Sequence, residues 1–271
     1  MTLSFPPFTP WVKRLIIICS GVFLLQVVLQ RFSPQAARYA EVYFGLVPTL
    51  VVHNFFIWQL ATYSFLHASV SHLLLNMLTL WMFGSQEEQD WGPGKFLEFY
   101  FFCVIGAALV TVAVAFAGLA DTLVPTIGAS GGIYGLLLAF GMLYGDREIY
   151  LFPLPISIKA KYLVAILIFI VVIATFQPSQ GGVANFAHLG GLFFAFLYLR
   201  FVPRRGLLFA GSEKYFGLRN SYYRWKRRQA AKKFEVYMSK HDRKVDFDEH
   251  GNYVPPEDDK NRKSNGGGWV N

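Results

Sequence analysis

Residues 162–199 read YLVAILIFIVVIATFQPSQGGVANFAHLGGLFFAFLYL, without one Asp, Glu, Lys or Arg. A helix needs about 20 mostly apolar residues to cross the hydrocarbon core of a bilayer, so this stretch is long enough for two. Gln177-Pro178-Ser179-Gln180-Gly181-Gly182 breaks it in the middle, because Pro and paired Gly are turn chemistry. The stretch therefore predicts two spans, 160–177 and 183–201. The same search along the rest of the chain finds 12–30, 67–84, 96–117 and 129–145. The expected fold class is an all-α integral membrane protein, a bundle of six transmembrane helices over residues 1–201 followed by a basic tail, 202–271. The run 12–30 reads as a span and not as a signal peptide: no small-residue cleavage site follows it, and Gln26, Gln30 and Arg31 end it as a span boundary does.

Composition agrees. The 271 residues are 54% hydrophobic and 15% charged, against about 45–50% and 25% in soluble domains. From Arg200 onward there are 17 Lys and Arg against 9 Asp and Glu, so the net charge of +8 sits in the tail. A disordered chain, a disulfide scaffold and a soluble nucleic-acid binder are excluded. Cys19 and Cys103 lie in apolar runs and read as packing residues.

Lys and Arg placement predicts sidedness. With an inside N-terminus the inside segments hold Lys13, Arg14, Lys95, Arg147, Lys159, Lys161 and the tail, and the outside holds only Arg31 and Arg38. Both termini are then expected to be cytoplasmic, in a bacterial inner membrane. The long connection 32–66, with Phe55, Phe56, Trp58 and Tyr63, reads as an interfacial, partly helical loop.

Strongly polar groups inside spans are costly and mark function. Three sets occur: His72 with Asn76, one helical turn apart; Gly128-Ala129-Ser130-Gly131-Gly132 at the start of the fourth span; and His188 followed by Gly190-Gly191 in the sixth. Each alone also fits helix packing. Together, all toward the outer half of their spans, they supply a hydroxyl nucleophile, a base and oxyanion donors. Gly128-x-Ser130-x-Gly132 matches a nucleophile elbow, but an elbow needs a preceding strand and a carboxylate between Ser and His. Residues 99–120 read as a helix, and Asp146 and Glu148 lie in the expected cytoplasmic loop. A Ser–His dyad without a carboxylate remains.

These residues resemble the rhomboid family of intramembrane serine proteases, over roughly residues 50–200. The matching pieces are Phe65-Leu66-His67, His72 through Met77, Gly84 with Glu88 and Gly92, Gly128-Ala129-Ser130-Gly131 with Tyr134-Gly135, and Ala187 through Gly191. The resemblance implies peptide-bond hydrolysis in or near transmembrane helices, with Ser130 as nucleophile and His188 as general base and acid. It implies His72, Asn76 and the Ser130 N–H as oxyanion donors, Tyr134 as the aromatic orienting His188, Gly128, Gly131 and Gly191 as supporting glycines, and Glu88 as a structural acid. Transmembrane proteins would be the substrates and lipids the other partners. No cofactor, metal or nucleic acid is implied. Two departures stand out: Gln59 replaces an Arg after Trp58, and Ala195 replaces a Gly, which leaves close packing there in question.

Entry is expected past the fifth span and the turn 178–182. The tail's Arg224-Trp225-Lys226-Arg227-Arg228 with Lys232 and Lys233 suits anionic headgroups, and 255–268 reads as disordered. The competing readings are a non-catalytic binding or chaperone-like protein of the same fold, and a small transporter. An intact Ser130 and His188 disfavour the former, and an outer site free of Asp and Glu disfavours the latter.

Overall fold

The computed structural model describes residues 6–150, 157–176, 182–202, 207–241, 245–250 and 252–254. Of the turn 178–182, expected to gate entry, residues 178–181 lie outside the described residues, as does the tail end 255–271. The chain forms two compact units, Met1–Gly206 and Leu207–Asn271.

In the first unit, α1 (Pro10–Phe32) starts with Pro at its first helical position, where the missing N–H costs nothing. Its other free N–H groups are met from far along the chain. The Glu88 carboxylate accepts from Trp11 N at 2.9 Å, Val12 N at 2.9 Å and the Thr9 hydroxyl. Glu88 is thus a structural acid that caps α1 and fixes it against the end of the second span. Glu88→Ala is expected to lower stability by about 2 kcal/mol, the order of a charged hydrogen bond lost at a helix end, measured by SDS-driven unfolding in micelles.

The connection after α1 is helical in pieces: α2 (Pro34–Phe44), α3 (Pro48–His53) and α4 (Gln59–Thr62), the last running into a 3₁₀ turn, Tyr63–Phe65. Gln59 is wholly buried and ties these pieces together. Its Oε1 accepts from Val47 N at 2.9 Å and its Nε2 donates to Val42 O at 2.8 Å. Gln59, a departure from the pattern the sequence resembles, therefore pins the loop by neutral hydrogen bonds. Trp58 Nε1 donates to Tyr43 O at 2.9 Å, and the Phe56 and Trp58 rings stack.

The segment Gln59–Phe65 meets the second span at 101°. That span is longer than the expected 67–84: α5 (Val70–Thr79) passes through a π-helical turn, Leu80–Gly84, into α6 (Ser85–Trp91). Next come α7 (Pro93–Phe116), α8 (Ser130–Leu143), a hairpin of β1 (Glu148–Tyr150) on β2 (Ser157–Lys159), α9 (Ala160–Phe176) and α10 (Gly182–Phe201). The hairpin was not expected. Its base is closed by charge: Lys161 donates to Asp146 at 2.7 Å, and that hydrogen bond holds the exposed Asp146 carboxyl below its ordinary range.

Among the described residues α1 and α7 are each long and apolar enough to cross a membrane, the pair Gln59–Phe65 and Val70–Trp91 passes only when its two arms are taken together across their 101° bend, and Ser130–Leu143 and Ala160–Ile173 are shorter apolar helices. Half of α7's spanning window is buried against 17% of α1's, so α7 is the central helix and α1 a peripheral one. Phe96, Phe99, Tyr100, Cys103, Val104 and Ala107 of α7 are fully buried. Outward, Leu24, Leu25, Phe169 and Ile170 are exposed, the pattern of a surface solvated by lipid.

The loops meet in two groups, one at each end of the helices. Leu46 and Thr126 exchange backbone hydrogen bonds at 2.9 Å, and Thr49 N donates to Thr122 O at 3.0 Å, latching the α2–α3 connection to the segment before Ser130. At the other end the Tyr144 hydroxyl bonds Asp90, and Arg147 donates to Gln86 at 2.8 Å.

In the second unit a long helix, α11 (Leu207–Ser239), is followed by β3 (Asp246–Phe247) paired with β4 (Tyr253–Val254).

Candidate active site

Ser130 is the first residue of α8. Its own N–H and those of Gly131 and Gly132 belong to the helix's first turn, which has no intrahelical acceptor and carries the positive end of the macrodipole. The segment before it is held in place: Gly128 N donates to Tyr63 O at 3.0 Å. Gly128 has φ +128°, a conformation that L side chains rarely adopt, and a β-carbon there would lie 2.7 Å from His72 Cε1 and 2.8 Å from Nε2. That same point is 3.7 Å from Ser130 Oγ. His72 and Ser130 therefore face each other across a residue that has to be glycine.

His188, in the second turn of α10, places Nε2 at 2.8 Å from Ser130 Oγ. Its Nδ1 has no hydrogen-bond partner among the described residues. Tyr134, one turn after Ser130, stacks on the His188 ring with centroids 4.5 Å apart and planes 30° apart. That contact restricts the imidazole to the plane in which Nε2 meets the hydroxyl.

The approach of α8 to α10 depends on small side chains. A β-carbon on Gly191 would overlap the Gly131 carbonyl oxygen. Ala107 of α7 sits against both Gly131 and Gly190, so three helices meet at small residues beneath the dyad. The question raised by Ala195 is answered one helix over: Gly135 faces both Cys103 and Ala195, and its missing side chain lets α8 come close without a glycine on α10.

His72 and Asn76 lie on one face of α5. Ser69 caps this helix by accepting from His72 N at 3.1 Å. Ala68 N donates to His72 Nδ1 at 3.4 Å, which leaves Nε2, the nitrogen facing Gly128, as the protonated one in a neutral ring. Asn76 Nδ2 donates to His72 O at 3.0 Å, spending one of its two amide hydrogens on its own helix. The structure thus brings Ser130, His188, Tyr134, Gly128 and His72 together, with Asn76 a turn deeper.

Two residues that the sequence reading gave no role belong to this neighbourhood. Tyr63 accepts through its backbone from Gly128, donates through its hydroxyl to Val104 O at 2.8 Å and packs beneath Gly131. His67 is buried, and its ring meets His72 edge to face at 5.2 Å. Tyr63 stands in a stretch rich in aromatics and nothing in the sequence singles it out. His67 was visible as a motif residue, but without a contact to name.

A Rhomboid domain model matches residues 54–205, more than half of the chain. RHOMBOID-like protein 1 of Arabidopsis thaliana is 35% identical over 150 residues, covering 55% of this chain and 35% of that protein. Rhomboid protease GluP of Bacillus subtilis is 31% identical over 138 residues, covering 50% and 24%. Rhomboid protein 1, mitochondrial, of Saccharomyces cerevisiae is 29% identical over 197 residues, covering 71% and 55%. The chain thus spans less than two-thirds of each of these relatives. These relatives come from a plant, a bacterium and a yeast, the last named as mitochondrial, so nothing favours the expected bacterial inner membrane. With its apolar helices and a matched domain covering Ser130, His188 and the helices that carry them, this chain belongs to the rhomboid family of integral membrane proteins.

Proposed function

We propose that this chain is an intramembrane serine endopeptidase that cuts transmembrane proteins in or near their spanning helices, with Ser130 as nucleophile and His188 as general base and acid. The observation that carries the reading is the 2.8 Å contact between His188 Nε2 and Ser130 Oγ. A Ser hydroxyl is a weak nucleophile until an adjacent base accepts its proton. In acylation Oγ attacks the scissile carbonyl carbon while its proton passes to His188 Nε2. The carbonyl oxygen, now negative, is met by the Ser130 N–H at the positive end of α8 and by the Nε2–H of His72, with Asn76 supplying its remaining amide hydrogen. His188 returns the proton to the departing amine. Water then attacks the acyl-enzyme by the same route, with His188 again as base.

Hydrolysis requires water at a site within lipid, and α8 gives a physical reason why one exists. Its 14 residues span about 21 Å at 1.5 Å per residue, short of a hydrocarbon core about 30 Å thick. With its other end at one surface, Ser130 stands recessed below the opposite one. A substrate helix must unwind to present an extended peptide there, since in lipid its backbone groups bond one another. Substrates are therefore helices with Gly, Pro or small polar residues near one end.

The six-span layout, with the membrane unit 1–201, the tail 202–271 and both termini cytoplasmic, is part of the same proposal and follows the Lys and Arg bias. Reconstitution tests the activity: the purified chain in liposomes with a single-span substrate of that kind is expected to yield two fragments whose masses place the cut in or near the span. An intact substrate under conditions where the protein is folded would support the binding-protein reading instead. His72→Ala is expected to lower kcat about 100-fold with KM little changed, the cost of one oxyanion donor. Asn76→Ala is expected to cost less, because half of its donor capacity is spent on His72 O.

A further inference from the structure

The tail helix α11 presents two different faces, and among the described residues of its own unit only one of them is covered. On the first, Ala231 is buried, Phe234 meets Phe247 with ring centroids 6.2 Å apart, and Arg227 donates to Asn252 at 3.4 Å. The β3–β4 segment covers that side. At 3.6 residues per turn, Tyr222, Trp225, Gln229 and Val236 share a second face, at offsets of three, seven and fourteen. Tyr222, Trp225 and Val236 are each more than half exposed, and the Tyr222 and Trp225 rings meet at 6.1 Å. Lys226 and Lys233 flank this stripe on one side and Lys232 on the other.

We propose that this second face docks on the anionic lipid surface of the membrane that holds α10. Aromatic rings between lysines are the pattern of an interfacial helix, with rings at headgroup depth and ammonium groups on lipid phosphates. From 219 to 239 the helix carries seven Lys and Arg against one Glu, the sign that attracts anionic lipid. Five residues, 202–206, separate α11 from α10, so the chain starts α11 within about 20 Å of the end of a membrane helix. That tether favours lipid over a soluble polyanion such as RNA. The inference does not depend on Ser130 being active.

The test uses the full chain in nanodiscs. Cys19 and Cys103 are buried, so a new cysteine takes a thiol-reactive, environment-sensitive fluorophore selectively. A probe on Gln229→Cys, in the stripe, is expected to brighten and shift to the blue in phosphatidylcholine with phosphatidylglycerol, and not in phosphatidylcholine alone. A probe on Arg224→Cys, off the stripe, should not respond. Replacing Lys226, Lys232 and Lys233 by Gln should weaken docking roughly fivefold per lysine, about 100-fold together, and raised salt should reverse the shift in the unsubstituted protein. Identical spectra in the two lipids, equal responses from both probes, or a shift that appears only on adding RNA would overturn the proposal.

Discussion

Replacing Ser130 by Ala, or His188 by Ala, is expected to lower cleavage of a reconstituted transmembrane substrate by about 10⁴-fold or more. In the proposed mechanism the two groups act as one unit through a single 2.8 Å contact. Without His188 the hydroxyl keeps its proton, and without Ser130 the imidazole has nothing to activate. The double variant should therefore be no worse than either single one, since groups that act together are not additive. Additive losses would mean that the two residues work separately, as in a site that only binds. Both substitutions leave the small-residue junction beneath the dyad intact, so unfolding in detergent should stay close to that of the unsubstituted protein.

The second large effect is expected at Gly191, which supplies no reacting group. A β-carbon there would overlap the Gly131 carbonyl oxygen and lie 2.8 Å from the carbonyl carbon. Backbone atoms cannot rotate away as a flexible side chain does, so Gly191→Ala must separate α10 from α8. Those helices carry His188 and Ser130, three residues and one residue from the clash. A displacement of about 1 Å in a reacting pair costs on the order of 100-fold in rate, and the overpacking itself costs about 1–3 kcal/mol. Gly190→Ala is the informative partner. Its β-carbon would press on Ala107 and Val110 of α7, not on α8, so it should lower stability while sparing more of the rate. Comparing kcat with unfolding for the two variants checks this. Equal losses of rate and stability at both positions would contradict it.

Much of this arrangement was legible in the sequence because polar residues stand out in an apolar chain. His72, Ser130 and His188 were conspicuous for being where lipid tolerates them poorly, and span lengths placed them toward one end. Gly128 and Gly191 were legible as exceptions to side-chain packing, although only the fold shows what each would strike. Glu88 was expected to be structural, and the contact that makes it so, a cap on α1, joins residues more than 70 apart. Such pairings leave no local pattern.

Other features had no contrast against which to be read. Tyr63 is one aromatic among several in a charge-free loop, yet it positions Gly128 and underlies Gly131. The β1–β2 hairpin is three residues a side, too short for alternation to register. In α11 the apolar residues divide between a face against β3–β4 and a face on the other side. A single hydrophobic stripe, the usual mark of a surface helix, is thus missing, and only the basic run was evident. The second helix runs on through the π-helical turn Leu80–Gly84 into α6, whose polar residues Ser85 to Asp90 give no apolar signal.

The claim on which the account rests is that Ser130 is activated by His188, and the most direct measurement needs no substrate. The purified, folded protein in detergent is treated with a fluorophosphonate, digested and mapped by mass spectrometry, beside His188→Ala. The account predicts one adduct, on Ser130, that disappears in His188→Ala. No adduct on the folded protein, or an adduct on Ser130 that persists without His188, would contradict it.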